Sequence, residues 1–388
     1  MAVLLQGQKT QIDPLVFVAL IENSVVAERK PYRDALDHGQ IRFADLVDLA
    51  RAAQVPWTLF FATHDVVDAQ VAVKTSKLLQ GVSKETFSVN SRATVRLRDV
   101  ELIVKDLLRK QMLVRKHDET LTDNEIVGSL RKPGSSVAED AIALLRALEL
   151  EPGALRRAST KRRALEMLIA HLESKQVLVA RSVQGFMPQL IKVKFSGLTV
   201  RDRKVPYIFL AGGDHGDSQE PEGRQLFTLT LLTVLVARGI FAPVTYDGRS
   251  AAVDAGREYE ITAEVLMPAE EVLRHPLASL DDLRAAADYF KVTPSAMVVR
   301  AEHLCLITAA VTRSHLRELE REFAARPRSQ ARTPKPVNGV RKYNGRELSN
   351  RMLEALDAGR ISPREFCRSV CGNRISPREI GEFREALG

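Results

Sequence analysis

Histidine and carboxylate side chains near the middle of the chain are the first residues that could do chemistry. His215 lies between Asp214 and Asp217 in one polar stretch, and imidazole and carboxylate groups can hold zinc at about 2.0–2.3 Å. A zinc site on a helix needs two histidines at helical spacing, and the sequence contains no such pair. The spacing therefore favours a solvated loop over a metal site, and we expect no cofactor.

Hydroxyl and thiol groups are the other reactive side chains. Thr230 and Thr233 have no evident base beside them, so the sequence favours buried hydroxyls that bond back to helix carbonyls over nucleophiles. Cys367 and Cys371 lie one helical turn apart, but we find no partners that would complete a zinc site with them. An odd total of three cysteines argues against a disulfide framework, and we expect reduced cysteines packed in helices.

Three apolar elements surround the candidate loop. Gly223 to Gly239, GRQLFTLTLLTVLVARG, is apolar on every face, so it must be buried, yet it is too short to cross a bilayer. Val205 to Leu210 precedes it as a β-prone run that ends at two glycines. Glu260 to Pro268 follows it as a second apolar helix that ends at proline. The pattern predicts a strand and two helices in one core.

This order of elements, with the last helix ending in Leu-Met-Pro, resembles the ImmA/IrrE family of zinc metallopeptidases, whose active helix usually reads RFTLAHELGH. In that comparison Leu231 and Leu235 stand at the two histidine positions, and Leu232 stands at the glutamate. Ala255 stands at the third ligand, and Tyr259 replaces an asparagine one turn later. The framework positions that agree are Arg224, Phe227, Thr228 and Leu229.

The resemblance therefore implies a degenerate pseudopeptidase that lacks the HExxH motif, with no catalytic residue and no metal. Aliphatic side chains offer zinc no lone pair, and they provide no carboxylate to take a proton from zinc-bound water. An active zinc peptidase would need displaced ligands. Asp254 and Glu258, near the third position, and the residues around His215 are the only candidates that the pattern offers.

The likeness covers most of the chain and extends to the N-terminus. Ile12-Asp13-Pro14 and the run from Asp37 to Phe61 resemble parts of the XRE-type helix-turn-helix (HTH) domain that longer family members place before the peptidase. The run between these landmarks is too short for the usual helices, and its apolar residues are typical of a core. We expect a degenerate helical domain that does not read DNA sequence.

Further elements match the peptidase domain of the family. A helix over Ala164 to Leu178 and strands at Val177 to Ala180 and Ile191 to Phe195 correspond to its helix–strand start. Two helices across a turn, Asp281 to Phe290 and Thr293 to Glu302, correspond to the pair that closes the domain. We expect this pair to have a structural role.

Basic residues form two groups that could contact nucleic acid or an acidic protein. One group lies between Glu151 and Ala164 without an intervening acid. The other includes Arg326 to Arg346, an acid-free stretch with three prolines that predicts a linker. The repeats RISPREF at Arg360 and RISPREI at Arg374 follow it and predict two serine-capped helices. The candidate contact residues are Arg156, Arg157, Lys161, Arg162, Arg163, Arg341, Lys342, Arg364 and Arg378.

The length of 388 residues and the 45% hydrophobic content predict a multidomain α+β protein, mostly helical, with one small sheet in its central zincin-like domain. The sequence contains no signal peptide and no membrane span, so we expect a cytoplasmic protein with no membrane partner. The predicted domains are a degenerate XRE/HTH-like helical domain (1–66), a helical connecting region (67–135), an ImmA/IrrE-like pseudopeptidase domain (136–316), a basic linker (317–345) and a C-terminal, three-helix, HTH-like unit (346–388).

These patterns predict a non-enzymatic regulator that binds a protein partner through an inactive peptidase fold. The family implies a repressor, a toxin or a defence factor as that partner, in a phage, mobile-element or toxin–antitoxin setting. The net charge of +8 suits either DNA or an acidic protein. A DNA-binding transcriptional regulator and a zinc peptidase with displaced ligands remain as alternatives, and the sequence leaves a homodimer open.

Overall fold

The computed structural model describes residues 1–22, 24–53, 55–70, 87–89, 100–183, 185–188, 195–212, 220–246, 256–325 and 334–388. The chain is a mostly helical α+β protein with two small sheets. Its described residues fall into two compact units. Residues 1–70, 100–108 and 187–188 belong to the smaller unit, and the other described residues belong to the larger one.

The helices account for most of the described chain. They are α1 Pro14–Ile21, α2 Lys30–His38, α3 Phe43–Ala52, α4 Glu101–His117, α5 Val137–Ala147, α6 Ala154–Arg157, α7 Lys161–Ser174, α8 Glu222–Arg238, α9 Arg257–Leu266, α10 Ala269–Val272, α11 Leu280–Tyr289, α12 Pro294–His303, α13 Ala309–Ala325, α14 Pro336–Asn344, α15 Arg346–Asp357, α16 Pro363–Ser369 and α17 Ile380–Leu387. Short 3-10 helices span Val25–Glu28, Trp57–Phe61 and Pro377–Glu379.

The smaller unit contains a sheet that the sequence pattern did not predict. The strands are β1 Ala2–Leu5, β2 Gln8–Gln11 and β3 Gln40–Arg42, in the order β2-β1-β3. β1 pairs with β2 antiparallel and with β3 parallel. The N-terminal domain, which we predicted to be helical, therefore contains a three-stranded sheet in addition to its helices. β2 is polar and fully exposed, so it lacks the alternation that marks a strand in sequence.

The larger unit contains a five-stranded sheet of order β4-β8-β6-β7-β5. β6 runs antiparallel to both of its neighbours, whereas β5 pairs with β7 and β4 pairs with β8 in parallel. The strands are β4 Phe87–Val89, β5 Leu178–Arg181, β6 Phe195–Val200, β7 Tyr207–Leu210 and β8 Pro243–Tyr246. β5 and β7 confirm the predicted strands at Val177 to Ala180 and Val205 to Leu210. β6 begins at Phe195, the last residue of the strand predicted at Ile191 to Phe195, and residues 191–194 lie outside the described residues.

Helix α8 lies at the centre of this unit, as its apolar sequence predicted. It packs on β6 and β7, and α7 and α9 pack beside it. Gly223, in its first turn, allows the backbone of Val292 to approach closely, since a Cβ at Gly223 would lie 2.7 Å from the Val292 carbonyl carbon. Helices α11 and α12 also appear where the sequence predicted a helix pair, and α13 packs on α12.

The C-terminal helices pack on the same unit as the central sheet. α14 and α15 contact edge strand β5, and α15 also contacts α7. Ser362 and Ser376 cap the starts of α16 and of the 3-10 helix at Pro377, which confirms the capping predicted from the two repeats. The C-terminal element is thus larger than the predicted three-helix unit, because α14 belongs to it.

The predicted linker, residues 317–345, is also too long. α13 continues to Ala325, because alternating acidic and basic residues keep its exposed face helical. α14 begins at Pro336, since proline suits the first position of a helix. Residues 326–333 lie outside the described residues.

Within the described ranges, no helix has both the length and the apolar character needed to cross a bilayer.

Candidate functional site

The positions that resemble the zinc-binding residues lie deep in the core of the larger unit. The side chains of Leu231, Leu232 and Leu235 are at most 1% exposed. A Cβ at Gly197 of β6 would lie 2.7 Å from Leu232 Cδ1, so this glycine makes room for the leucine against the sheet. These three positions therefore contribute packing and offer no donor atom to a metal.

Two of the three threonine hydroxyls of α8, those of Thr230 and Thr233, donate within the helix. Thr230 Oγ1 donates to the carbonyl oxygen of Leu226 at 2.9 Å, and Thr233 Oγ1 donates to that of Leu229 at 2.8 Å. Both hydroxyls bond four residues back, which is how a buried threonine satisfies its donor in a helix. This geometry confirms the prediction of structural hydroxyls.

Glu258 is the one candidate displaced ligand among the described residues, and it too has a structural role. Glu258 of α9 accepts a hydrogen bond from Arg238 Nε of α8 at 3.2 Å, and both side chains are largely buried. In the described parts of the chain, no three His, Cys, Asp or Glu side chains are grouped closely enough to hold a metal. The remaining candidates, Asp214, His215, Asp217 and Asp254, lie outside the described residues, as does Ala255 at the lost third-ligand position.

Tyr259, at the family's asparagine position, is a buried phenol. Burial raises its pKa, and the charge of Glu258 raises it further. Its hydroxyl has no hydrogen-bond partner among the described residues. A neutral phenol of this kind cannot replace a carboxylate ligand.

A second buried acid, Glu220, lies just before α8. Ser196 Oγ lies 3.4 Å from one of its carboxylate oxygens, and the other oxygen has no partner in the described structure. Burial raises the pKa of Glu220, and nearby Arg224 opposes that shift. Glu220 was not predictable from the sequence pattern, because its neighbour Ser196 lies in β6, 24 positions earlier in the chain.

The basic residues between Arg156 and Arg163 are not an open cationic patch. Each forms an ion pair with a carboxylate. The pairs are Arg156–Glu271 at 3.7 Å, Arg157–Glu151 at 3.0 Å, Lys161–Asp288 at 2.6 Å, Arg162–Glu166 at 3.2 Å and Arg163–Glu166 at 3.9 Å. The pairing reduces the local positive charge that would attract phosphate.

The C-terminal residues predicted to contact a partner differ in their surroundings. Arg341 Nη1 donates to the carbonyl oxygen of Ala386 at 2.5 Å and so ties α14 to α17. Lys342, the next residue of α14, is only partly exposed. Arg364 and Arg378 are exposed, and no ion pair joins either to another described residue. These two remain available for contact with a partner.

An exposed row of aromatic rings in the smaller unit is the feature that the sequence pattern missed. Trp57 lies between Phe43 and Phe61, with ring centroids 5.2 Å and 6.1 Å away and with both ring pairs nearly perpendicular. Trp57 is 43% exposed and Phe61 is 40% exposed. We call Phe43, Trp57 and Phe61 the aromatic row. Its signal was the only tryptophan of the chain, placed after a proline.

The aromatic row belongs to the acidic part of an otherwise basic chain. Residues 1–70 contain nine Asp and Glu and six Lys and Arg, a net charge of −3. The whole chain has a net charge of +8, so the other residues together carry +11. The charge is therefore unevenly distributed along the sequence.

Comparison with known proteins identifies no relative. No family model, curated protein or solved structure matches the chain. The likeness to the ImmA/IrrE peptidases therefore rests on the residue pattern around α8.

Proposed function

We propose that this chain is a non-catalytic regulator in which an ImmA/IrrE-type peptidase fold serves as a scaffold that binds a protein partner. The main support is the burial of Leu231, Leu232 and Leu235 in α8. A metal could reach these positions only if the core opened, and even then the leucines would offer it no ligand. The fold would keep its shape and lose hydrolysis. A repressor, a toxin or a defence factor is the class of partner that the family likeness suggests.

Two observations favour a protein partner over DNA. The arginines and lysine of the cluster at 156–163 are paired with carboxylates, which weakens the attraction to phosphate. Trp57 and Phe61 of the aromatic row are exposed, and tryptophan is enriched where proteins bind each other.

The loss of catalysis can be tested by measuring zinc and proteolysis together. We expect purified protein from zinc-supplemented cells to contain far less than one zinc per chain. We also expect that a co-purified partner is not cleaved, and that adding a chelator makes no difference. His215→Ala is the matched control, since His215 is the one histidine among the candidate displaced ligands. One zinc per chain that is lost in His215→Ala, together with chelator-sensitive cleavage, would show an active peptidase with displaced ligands.

The scaffold role can be tested by purification from the native host. We expect a partner protein to co-purify in equimolar amount and to stay intact during incubation. The same preparation should not retain duplex DNA at physiological salt. Retention of DNA with a defined sequence preference, and no protein partner, would instead favour a transcriptional regulator.

A further inference from the structure

The first turn of α15 takes its cap from another helix. A helix leaves its first backbone N–H groups without acceptors of its own, and Gly345, at the N-cap position of α15, has no side chain that could accept them. Glu173 of α7 supplies the acceptor. Its Oε1 lies 2.9 Å from the backbone nitrogen of Arg346, and its carboxyl also accepts the N–H of Glu347. One side chain of α7 therefore caps α15 from outside.

This cap lies inside the contact between the sheet and the C-terminal helices, α14 to α17. Glu173 is 5% exposed. The turn at Gly345 covers it closely, since a Cβ on Gly345 would lie 2.6 Å from Glu173 Oε1. α14 and α15 both contact edge strand β5, and α15 contacts α7. Separation of the C-terminal helices from β5 would therefore return the carboxyl of Glu173 to water.

Charged groups on each neighbouring element act on this carboxyl. Burial raises the pKa of Glu173 to about 7, and the charge of Glu347 in α15 adds to the rise, whereas the charge of Arg181 in β5 opposes it. Arg181 in turn faces Glu166 and Arg162 of α7 and Arg341 of α14. Burial thus outweighs the favourable cation and the two N–H bonds.

We propose that ionisation of Glu173 weakens the attachment of the C-terminal helices to β5, so that these helices separate from the sheet more often as pH rises through neutrality. The attached form keeps a proton that the separated form loses above pH 4.5, so attachment is strongest in acid and weakens until about pH 7. The inference does not depend on the proposed scaffold function. It adds a response to pH that the scaffold alone does not have.

Three cysteines make this separation measurable in the full chain. Burial raises the pKa of Cys371, and nearby Lys110 of α4 opposes the rise, so Cys371 lies on the side of the C-terminal helices that faces α4. Burial also raises the pKa of Cys367, and nearby Glu379 adds to it, so Cys367 lies against another part of the C-terminal helices. Cys305 is exposed and serves as the internal reference.

The experiment is alkylation with a low concentration of N-ethylmaleimide, followed by mass spectrometry of each cysteine. Under these conditions the rate at Cys371 relative to Cys305 follows the fraction of separated form, and the ratio removes the pH dependence of the thiol reaction. We expect this ratio, divided by the same ratio in Glu173→Gln, to rise about tenfold from pH 6 to pH 8. The division also removes the effect of His117, a buried histidine of α4 whose pKa burial lowers.

Glu149→Gln is the matched control. It removes an exposed carboxylate whose hydrogen bond from Lys175 holds its pKa below the ordinary value, so this group does not titrate between pH 6 and pH 8. Its pH dependence of labelling should equal that of the unchanged protein. Circular dichroism of both variants would verify the fold.

Three results would overturn the inference. Glu173→Gln could retain the full pH dependence, in which case another group controls the attachment. Cys367 could react as fast as Cys371 at every pH, which would mean that the C-terminal helices unfold and do not separate together. The Cys371 ratio of the unchanged protein could fail to rise between pH 7 and pH 8, and this result counts even if Glu173→Gln does not fold.

Discussion

At the scale of single residues, Glu173 is a buried carboxyl group that joins two helices. It ends α7 and accepts the backbone N–H of Arg346 at 2.9 Å, so it joins α7 to the first turn of α15. Burial raises the pKa of Glu173 from 4.5 to about 7, and the charge of Glu347 adds to this rise. The rise is opposed by hydrogen bonds from the backbone N–H groups of Glu347 and Arg346 and by the charge of Arg181. Burial therefore favours the protonated carboxyl, whereas the two N–H bonds favour the carboxylate, and burial has the larger effect.

We expect Glu173 to make stability depend on pH. Between pH 4.5 and about 7 the folded state keeps a proton that the unfolded state has lost, so stability falls as pH rises through this window. The full effect is roughly 3 kcal/mol. Glu173→Gln should remove this slope, so its advantage over the unchanged protein should grow from pH 5 to pH 8. Urea unfolding across this range measures the slope, and an unchanged slope in the variant would contradict the assignment.

The leucines of α8 lead to a second expectation about single residues. Leu235→Ala should lower the free energy of unfolding by about 2–5 kcal/mol, because the cavity lies in the centre of the core. Leu273→Ala is the control, since that side chain is 62% exposed, and it should change stability by less than about 0.5 kcal/mol. Chemical denaturation of both variants tests this. Equal losses would mean that α8 is not packed as described.

At the scale of elements, the turn between α14 and α15 seats the C-terminal helices on edge strand β5. Gly345 has a φ of 80°, and a Cβ on it would meet the carbonyl oxygen of Val179 and lie 2.6 Å from Glu173 Oε1. The hydroxyl of Tyr207 donates to the carbonyl oxygen of Asn344 at 3.3 Å. Asp118 and Arg351 form a largely buried ion pair that joins the end of α4 to α15. The turn therefore needs glycine at position 345 both for its positive φ and for the close approach of Val179 and Glu173.

Two glycine variants can separate these reasons. Gly359 has a φ of 68° and no neighbour within 4 Å of an added Cβ. Gly359→Ala should lose roughly 1 kcal/mol from backbone strain, and Gly345→Ala at least as much, because its φ of 80° and ψ of 167° lie in a region that essentially only glycine adopts. Gly345→Ala should lose about 1–3 kcal/mol more, because its Cβ must displace the strand or the helix turn. Thermal unfolding compares them, and equal losses would show that β5 does not crowd the turn.

Several elements were predictable from sequence because local pattern determines them. The apolar run at 226–236 could only be a buried element, and the serine and proline of each RISPRE repeat define a helix start. The sheet formed by β1, β2 and β3 was not predictable, because its parallel pairing of Val3 with Ile41 joins residues far apart in sequence. The extent of α13 and α14 was missed because basic residues and prolines were interpreted as a linker.

The candidate site was predicted less well than the fold. The inert character of α8 followed directly from its residues. The pairing of the basic cluster did not, since Lys161 and Asp288 are 127 positions apart in the sequence. The aromatic row was also missed, because the pattern around Trp57 resembles an ordinary helix-turn-helix core and does not show which rings face solvent.

At the scale of the whole molecule, charge is separated along the chain. Residues 1–70 are acidic, and the rest is basic. The excess of positive charge should produce weak binding to duplex DNA at low salt with no sequence preference. We expect this binding to be lost near 0.15 M salt, because it depends on counterion release. Fluorescence anisotropy with two unrelated duplexes measures it, and sequence-dependent binding above that salt would contradict the expectation.

The packing of the C-terminal helices protects one lysine amine from chemical modification. Lys110 of α4 is 2% exposed, and its Nζ lies 4.0 Å from the ring centre of Tyr343 in α14. Acylating reagents should therefore modify exposed Lys9 at once and spare Lys110 for as long as α14 stays in place. At reagent concentrations where acylation is faster than reclosing, the rate at which mass spectrometry detects acylated Lys110 equals the rate at which these helices separate from the sheet, and at lower concentrations it reports how much of the open form is present.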